Sequence, residues 1–460
     1  ADFENYDALL VSYQNTEVSQ IVSAEIIFGA VGSKGKLPVS INNSFAVNKG
    51  LETKKLNVLG FSAPENVQMN SAKLAQIDVI VQKAIKAKMT PGAQVLVAKE
   101  GKIIYHKAFG AATYERKVKV KKTDLYDIAS LTKIIATLPN VMQQFDQGKV
   151  NLQSNLGEML PNFKYSDKSK ITFIELLSHQ AGFKAWEPFY RATLDKEGKP
   201  SEIYYKKSFD KLFSKQVADS LFIRNDYHDT IINWIKNSEL SVKKEYKYSD
   251  FTFILLKEYL EKSTKVTLDV LSDTRFYRPL GMHSTMYNPL INNSLDKIIP
   301  TEIDNYFRYQ KVQGYVHDME AAMEGGVAGH AGIFSNSMDV AKLMQMYLQK
   351  GNYGGKSYFS EATFNTFNAR YFESNGSRRG LGFDKQQLPG NEGPTCGCAS
   401  ASSFGHTGFT GTMAWVDPEY NLVYIFLSNR TFPDSNLPNA LSKSNIREDI
   451  QKVLYDAMEK

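Results

Sequence analysis

The stretch Ile128-Ala129-Ser130-Leu131-Thr132-Lys133-Ile134-Ile135-Ala136-Thr137-Leu138 decides how this 460-residue chain is read. A serine and a lysine three residues apart share one face of a helix. The lysine can then take the serine proton, provided its pKa is pulled down from roughly 10.4 by burial or nearby cations. A serine at a helix N-terminus also sits where a developing negative charge is favoured. Spacing alone is weak, because Ser33, Ser208, Ser241 and Ser294 also have a lysine three residues on. Ser33 lies in a Gly-rich turn, and Ser241 and Ser294 stand in polar stretches. Ser208 opens a plausible helix rich in exposed charge. Ser130 follows apolar residues and precedes more of them, so it opens a buried helix where a lysine can be desolvated. Pro139 lies inside that helix and is predicted to kink it.

Two further elements lie downstream. Tyr248-Ser249-Asp250 precedes an apolar helix over 251–260, which puts Tyr248 on a loop at a packed helix start. A tyrosine with a short polar side chain two residues on can shuttle a proton and hold a substrate amide. Tyr165-Ser166-Asp167 and Tyr227-His228-Asp229 share the pattern, the former among Lys164, Lys168 and Lys170 in a solvated turn. The third element is His406-Thr407-Gly408, which leads into strands and can line an acyl pocket. Gly408 permits close backbone approach there. His330-Ala331-Gly332 mimics it in part, but leads into a helix expected over about 338–349 with Ser337 as its cap.

The rest of the chain frames these elements. A helix capped by Ser71 is expected to about residue 88, followed by strands over 93–99 and 102–109 joined by a Glu100-Gly101 hairpin turn. From 124 to about 348 the pattern is helical and loopy. Strands return at 405–407, 412–416 and 422–427, and a helix over 446–458 follows. Strand-rich ends around a helical middle imply one sheet built from both, with a helical lobe inserted over about 124–395 and a cleft between. At the start, 7–14 reads as a strand, 18–30 as a helix and 32–41 as a turn into another strand. This unit is too small to bury its own core. Residues 57–70 read as a linker.

Composition removes several function classes. The net charge of +6 is thinly spread, and the run 117–122 reads as a solvated strand face rather than a nucleic-acid site. No apolar run reaches the roughly 20 residues of a transmembrane helix. Cys396 and Cys398 read as free thiols in a Gly-rich loop, since a disulfide there would need a strained loop and a metal would need more ligands. His317, Asp318 and Glu320 lack further ligands at useful spacing, so no metal site is read there. A start at Ala1 fits a processed mature chain or a trimmed one.

From about Ser71 onward the chain resembles the penicillin-recognising serine hydrolases, most of all their class C β-lactamase, D-alanyl-D-alanine carboxypeptidase and esterase branch. The three elements in order carry the likeness. Leu176-Leu177-Ser178-His179-Gln180-Ala181-Gly182, Leu381-Gly382-Phe383 and Gly405-His406-Thr407-Gly408-Phe409-Thr410-Gly411 support it. The first 50 or so residues resemble the end of the α/β domain of family 3 glycoside hydrolases of β-N-acetylglucosaminidase type. That likeness rests on the strand into Gln14-Asn15, then Ala24, Phe28-Gly29 and Gly35-Lys36-Leu37-Pro38-Val39. The stretch 325–332 is similar to family members fused behind such glycosidases.

These resemblances imply a glycosidase-like fragment over 1–56, a linker over 57–70 and a hydrolase domain over 71–460. The implied fold is α/β (α+β), a β-lactamase/transpeptidase-like antiparallel sheet flanked by helices, with the helical lobe inserted. The glycosidase barrel is absent from the chain, so no glycosidase residues carry over. The resemblance implies Ser130 as acylated nucleophile, with Lys133 and Tyr248 sharing acid and base work. Asp250, His406, Thr407, Gly408 and Phe409 would bind substrate, with the Ser130 and Phe409 N–H groups as oxyanion donors. It implies no cofactor and no metal, a small-molecule or peptide substrate from the cell wall, and a periplasmic or otherwise extracytoplasmic location. A β-lactamase and a non-catalytic muropeptide-binding module are the alternatives.

Two departures from the family pattern matter. His406 replaces the usual lysine, which weakens the preference for a substrate carboxylate. Asp250 replaces the usual asparagine, and a carboxylate there would raise the Lys133 pKa and shift work to Tyr248. Arg378 and Arg379 could restore positive charge, although they read as a solvated loop. His179 reads as capping or packing a turn, and His330 as lining the cleft or holding a loop.

Overall fold

The computed structural model describes residues 3, 5–243, 245–435 and 440–459. Both ends of the chain supply a seven-stranded sheet. Its strands are β1 (Gly60–Phe61), β2 (Gly92–Lys99), β3 (Lys102–Gly110), β4 (Asp384–Lys385), β5 (Phe404–Thr407), β6 (Met413–Asp417) and β7 (Leu422–Ser428). Their order is β1-β3-β2-β7-β6-β5-β4. Only the β1–β3 pair is parallel. β1 lies in the stretch read as a linker and forms one edge. Glu100 and Gly101 both adopt left-handed backbone, φ 55° and 72°, as a two-residue hairpin turn demands.

Side chains alternate across the sheet, and both faces are covered. Val95 and Val97 of β2 pack towards α2 (Gln76–Lys86) and α6 (Ile446–Asp456), while Leu96 and Ala98 face the core of the helical middle. That middle contributes α3 (Leu138–Asp146), α4 (Phe251–Thr264) and α5 (Ser337–Leu348). The helix expected from Ser71 breaks into Ser71–Leu74 and α2, and Asn70 rather than Ser71 caps it. Asn336 rather than Ser337 caps α5, its side chain accepting the Asp339 N–H at 3.0 Å. In both cases the capping oxygen belongs one residue earlier, where the backbone is still extended.

The Ser130 segment departs from a simple kinked α-helix. Ala129–Leu131 is a tight 3-10 turn, Lys133–Thr137 widens to a π-turn, and α3 follows with Pro139 in its first turn. Pro139 has no N–H for the Ile135 carbonyl. The Tyr277 hydroxyl donates to that oxygen instead, at 3.3 Å. Tyr347 donates to the Ile134 carbonyl at 2.8 Å. Two buried tyrosines thus satisfy a helix that its own backbone cannot. Ser208, expected to open a helix, lies in a loop between Tyr205–Lys206 and Lys215–Ala218.

The N-terminal reading needs correction. α1 (Glu17–Ile27) forms as expected, but no described residue over 7–14 or 32–41 is in a strand. A strand exists only against a partner, and none is paired with these residues, so Leu9, Leu10 and Val11 are exposed. α1 is tied to the sheet edge through Glu25, which accepts from Phe61 N–H at 2.6 Å and pairs with Lys102 at 3.2 Å. Among the described residues no helix is long and apolar enough to cross a membrane. Cys396 and Cys398 are not free thiols but a disulfide. Gly397 between them takes φ 77°, and this bend sets the Cα atoms 5.2 Å apart, inside the range a disulfide spans.

Candidate active site

Three segments meet at Ser130. Lys133 is fully buried; its ammonium donates to Ser130 Oγ at 3.0 Å and to the His330 carbonyl at 3.2 Å, and it forms an ion pair with Asp250 Oδ1 at 2.7 Å. Tyr248 donates its hydroxyl to the same Ser130 Oγ at 3.2 Å. The chosen serine, lysine and tyrosine therefore converge on one oxygen. The residue before the serine, Ala129, takes φ 47°, a strained position for a side-chain-bearing residue. Asp127 holds it there by accepting the Ala129 N–H at 2.8 Å.

The third segment reaches the nucleophile through Gly408. A Cβ on Gly408 would lie 2.2 Å from Thr412 Oγ1 and 2.6 Å from the Ile128 carbonyl. Only glycine allows this approach. Thr410 and Thr412 clamp the turn by donating to the Asp127 and Ile128 carbonyls at 2.8 and 3.1 Å. Phe409 follows on that turn, half-exposed. Neither the Ser130 nor the Phe409 N–H donates in the backbone bonds between described loops and turns.

Charge in the site is unevenly distributed. Burial pulls Lys133 down, but the Asp250 carboxylate outweighs it and holds the lysine above its ordinary value. Burial, with Asp250, pushes the Tyr248 phenol up, and Lys133 offsets this only in part. Burial, then Arg379 and Lys133, pushes His406 down to about 3, so its imidazole is neutral. Its Nδ1 donates to the Thr407 carbonyl at 2.7 Å, and its Nε2 has no partner.

Arg379 is where the sequence reading fails most clearly. It is not in a solvated loop but buried, 5% exposed, with its guanidinium 5.3 Å from the Tyr248 ring centroid. Its Nε donates to the Tyr246 hydroxyl at 3.2 Å and its Nη1 has no partner. Asp384 takes both Nε and Nη2 of Arg378, at 2.7 and 3.0 Å, and lies 3.5 Å from Arg379. An Arg-Arg pair looks solvent-facing in sequence; the buried Asp384 that draws it inward lies on β4, an edge strand of only two residues.

His179 does more than pack a turn. Its Nδ1 accepts the Ser249 N–H at 3.2 Å, its carbonyl accepts the Lys247 N–H at 3.0 Å, and its ring lies 4.8 Å from that of Tyr248. It fixes the loop that aims the tyrosine. The signal was the 176–182 run. His330 holds its loop by pairing Nε2 with Asp318 at 3.0 Å. Among the described residues no cluster of His, Cys, Asp and Glu could hold a metal.

Comparison with known proteins identifies the family. The family model described as Beta-lactamase matches residues 80–443. An N-acetylmuramyl-L-alanine amidase of Bacillus subtilis is 31% identical, over 91% of this chain and 96% of its own. A Salmonella gallinarum protein provisionally named a D-alanyl-D-alanine carboxypeptidase is also 31% identical, over 85% of this chain and 89% of its own. The solved structure of EstCE1, a hydrolase with promiscuous acyltransferase activity, superposes with TM-score 0.59 at 18% identity, over 84% of this chain and 99% of that one. The last likeness concerns the fold alone. The glycosidase-like reading of the first 50 residues finds no support in these comparisons.

Proposed function

This chain belongs to the beta-lactamase family of serine hydrolases, and from that premise we propose that it hydrolyses a peptide, amide or ester derived from the cell wall through an acyl-enzyme at Ser130. The observation that carries the reading is the convergence of Lys133 Nζ and the Tyr248 hydroxyl on Ser130 Oγ, at 3.0 and 3.2 Å. In this reading the Ser130 oxygen attacks the acyl carbon while its proton passes to Tyr248 or Lys133. The leaving group takes that proton, and water then cleaves the ester at Ser130. The resting lysine is an ammonium paired with Asp250 and the Tyr248 phenol is held protonated, so whichever of the two takes the Ser130 proton must first give up its own.

The substrate class draws support from the relatives named as amidase and carboxypeptidase. With His406 neutral, Arg379, whose charge acts on His406 and whose guanidinium lies against Tyr248, is the cation we assign to a substrate carboxylate. An extracytoplasmic location belongs to the same proposal, and the Cys396–Cys398 disulfide supports it, because such bonds persist in oxidising compartments.

Labelling with a fluorophosphonate or penicillin, followed by peptide mapping, tests the proposal. A label on Ser130 that Ser130→Ala abolishes is the expected result. A label on another serine, or none under conditions that label related enzymes, refutes it. Turnover of a chromogenic cephalosporin would make the activity that of a β-lactamase instead.

A further inference from the structure

Asp127 sits behind the nucleophile with both carboxylate oxygens committed to backbone. Oδ1 accepts the Ala129 N–H at 2.8 Å, and Oδ2 accepts the N–H of His317, nearly two hundred residues away, at 2.7 Å. The Asp127 carbonyl takes the Thr410 hydroxyl at 2.8 Å. One buried residue thus joins the turn before Ser130, the turn after Gly408 and the backbone of His317. The His317 ring continues the connection. It lies against the Phe409 ring, centroids 5.5 Å apart and planes 31° from parallel.

The ring itself is held. His317 Nε2 lies 3.2 Å from Glu302 Oε2. Glu302 also accepts from the Tyr306 hydroxyl at 2.9 Å and from the Ser435 N–H and hydroxyl. Arg430 places its guanidinium 4.4 Å from the Phe409 ring centroid. Phe409 is 53% exposed on a glycine-flanked turn, and the His317 ring and the Arg430 guanidinium both lie against its ring. Its backbone N–H is the second oxyanion donor of the proposed reaction, so its seat bears on the transition state.

We propose that His317, tied by Asp127 to the nucleophile turn, is a positioning residue whose ring seats Phe409 and thereby aims the Phe409 N–H at the oxyanion. The inference rests on the acyl-enzyme reading above. His317 touches no reacting atom. It acts through the face of its ring against Phe409, and Glu302 Oε2 lies beside the far edge of that ring. A displaced donor weakens the transition state more than substrate binding, since the oxyanion exists only in the former.

The test is saturation kinetics of Ser130 labelling by a fluorophosphonate, whose phosphoryl oxygen occupies the oxyanion position, with the native chain, His317→Ala and His317→Phe. Alanine removes the ring; phenylalanine keeps a flat ring against Phe409 and gives up only the contact with Glu302. Thermal unfolding is followed alongside. The expected result is a maximal labelling rate lower by about 10- to 100-fold in the alanine variant, with the half-saturating concentration little changed, since a misplacement near 1 Å can cost about a hundredfold. Phenylalanine should restore the rate to within a few-fold of native.

A native maximal rate in the alanine variant overturns the proposal. So does a phenylalanine variant as slow as alanine, or a fall confined to half-saturation. If the alanine variant does not fold, phenylalanine alone decides, with a near-native rate in support and a hundredfold loss against. A native chain that is not labelled at Ser130 instead removes the acyl-enzyme reading, a failure distinct from these.

Discussion

Replacing Asp250 with asparagine removes the carboxylate 2.7 Å from Lys133 Nζ and leaves a carbonyl oxygen in its place. Two unit charges at that distance interact by about 6 kcal/mol at an effective permittivity of ~20. Burying the ammonium works against this by several kcal/mol. In the native chain the pair wins, because Lys133 stays above its ordinary value despite complete burial. Without Asp250 only Tyr248 is left to oppose the burial penalty, and Lys133 falls. If neutral Lys133 is what takes the Ser130 proton, the rising limb of the pH–rate profile moves to lower pH in the variant.

Stability responds with a defined sign. A lysine whose folded pKa is raised contributes stability that is complete below its unfolded value, roughly 10.4, and is lost as pH rises through the folded value. Asp250→Asn should therefore cost ~3–5 kcal/mol near pH 7, the usual penalty for unpairing a buried charge, and less in strong alkali. The assay is the pH dependence of Ser130 labelling, paired with urea unfolding at pH 7 and at a pH above the native Lys133 value. Superimposable pH–rate profiles would refute the assignment of Lys133 as the limiting base and transfer that role to Tyr248. An equal stability loss at both pH values would show that the loss owes nothing to the lysine's charge.

Three other perturbations test separate parts of the site. His406 is held neutral down to about 3 while the unfolded chain binds its proton near 6.5, so acidification across that span favours unfolding, by about 5 kcal/mol at the limit of ~1.4 kcal/mol per pH unit. His406→Gln should flatten the loss of stability in urea between pH 6 and pH 3, and an unchanged acid limb counts against a buried neutral ring. Arg379→Gln should lower kcat/KM roughly tenfold for a peptide ending in a free carboxylate, the weight of one charge-assisted bond. A neutral ester should change less than about twofold, and an equal fall for both substrates rules out a carboxylate role. Gly408→Ala forces a Cβ onto Thr412 Oγ1 and the Ile128 carbonyl, so it should cost ~1–3 kcal/mol in unfolding and abolish most labelling. Native labelling would mean the turn stands further from Ser130.

What was legible in the sequence follows from how local each signal is. The β2–β3 hairpin, α4 and α6 were readable because periodicity and turn chemistry are written in consecutive residues. Ser130, Lys133 and Tyr248 were readable because a buried helix start leaves an apolar flank. Arg379 was not, because its burial is decided by Asp384 and by the two tyrosines 246 and 248, all outside its own segment. His179 and His317 were discounted for the same reason. Each does its work through a backbone or ring contact with a residue about 70 to 190 positions away. The Cys-Gly-Cys pair was misread because the glycine's left-handed bend, not the spacing, sets the thiol separation. The strand expected over 7–14 had the right composition, but its formation depends on a partner that its own residues cannot specify.

The departures at positions 250 and 406 make one consistent change rather than two separate losses. A lysine in the third motif would stand beside Arg379 and Lys133, the two cations that already push His406 down. Three cations around Tyr248 would favour its phenolate and repel one another. With a neutral imidazole at 406, the positive charge moves to Arg379, which Asp384 partly balances. With a carboxylate at 250, Lys133 is balanced directly at 2.7 Å. Lys133 thus has an anion of its own and Arg379 shares Asp384 with Arg378, and burial without such pairing would be prohibitive. The consequence for chemistry is a resting site in which both candidate bases are protonated. Acylation must then begin with a proton displaced within the Lys133–Asp250–Tyr248 group, and that is the step the Asp250→Asn profile reads out.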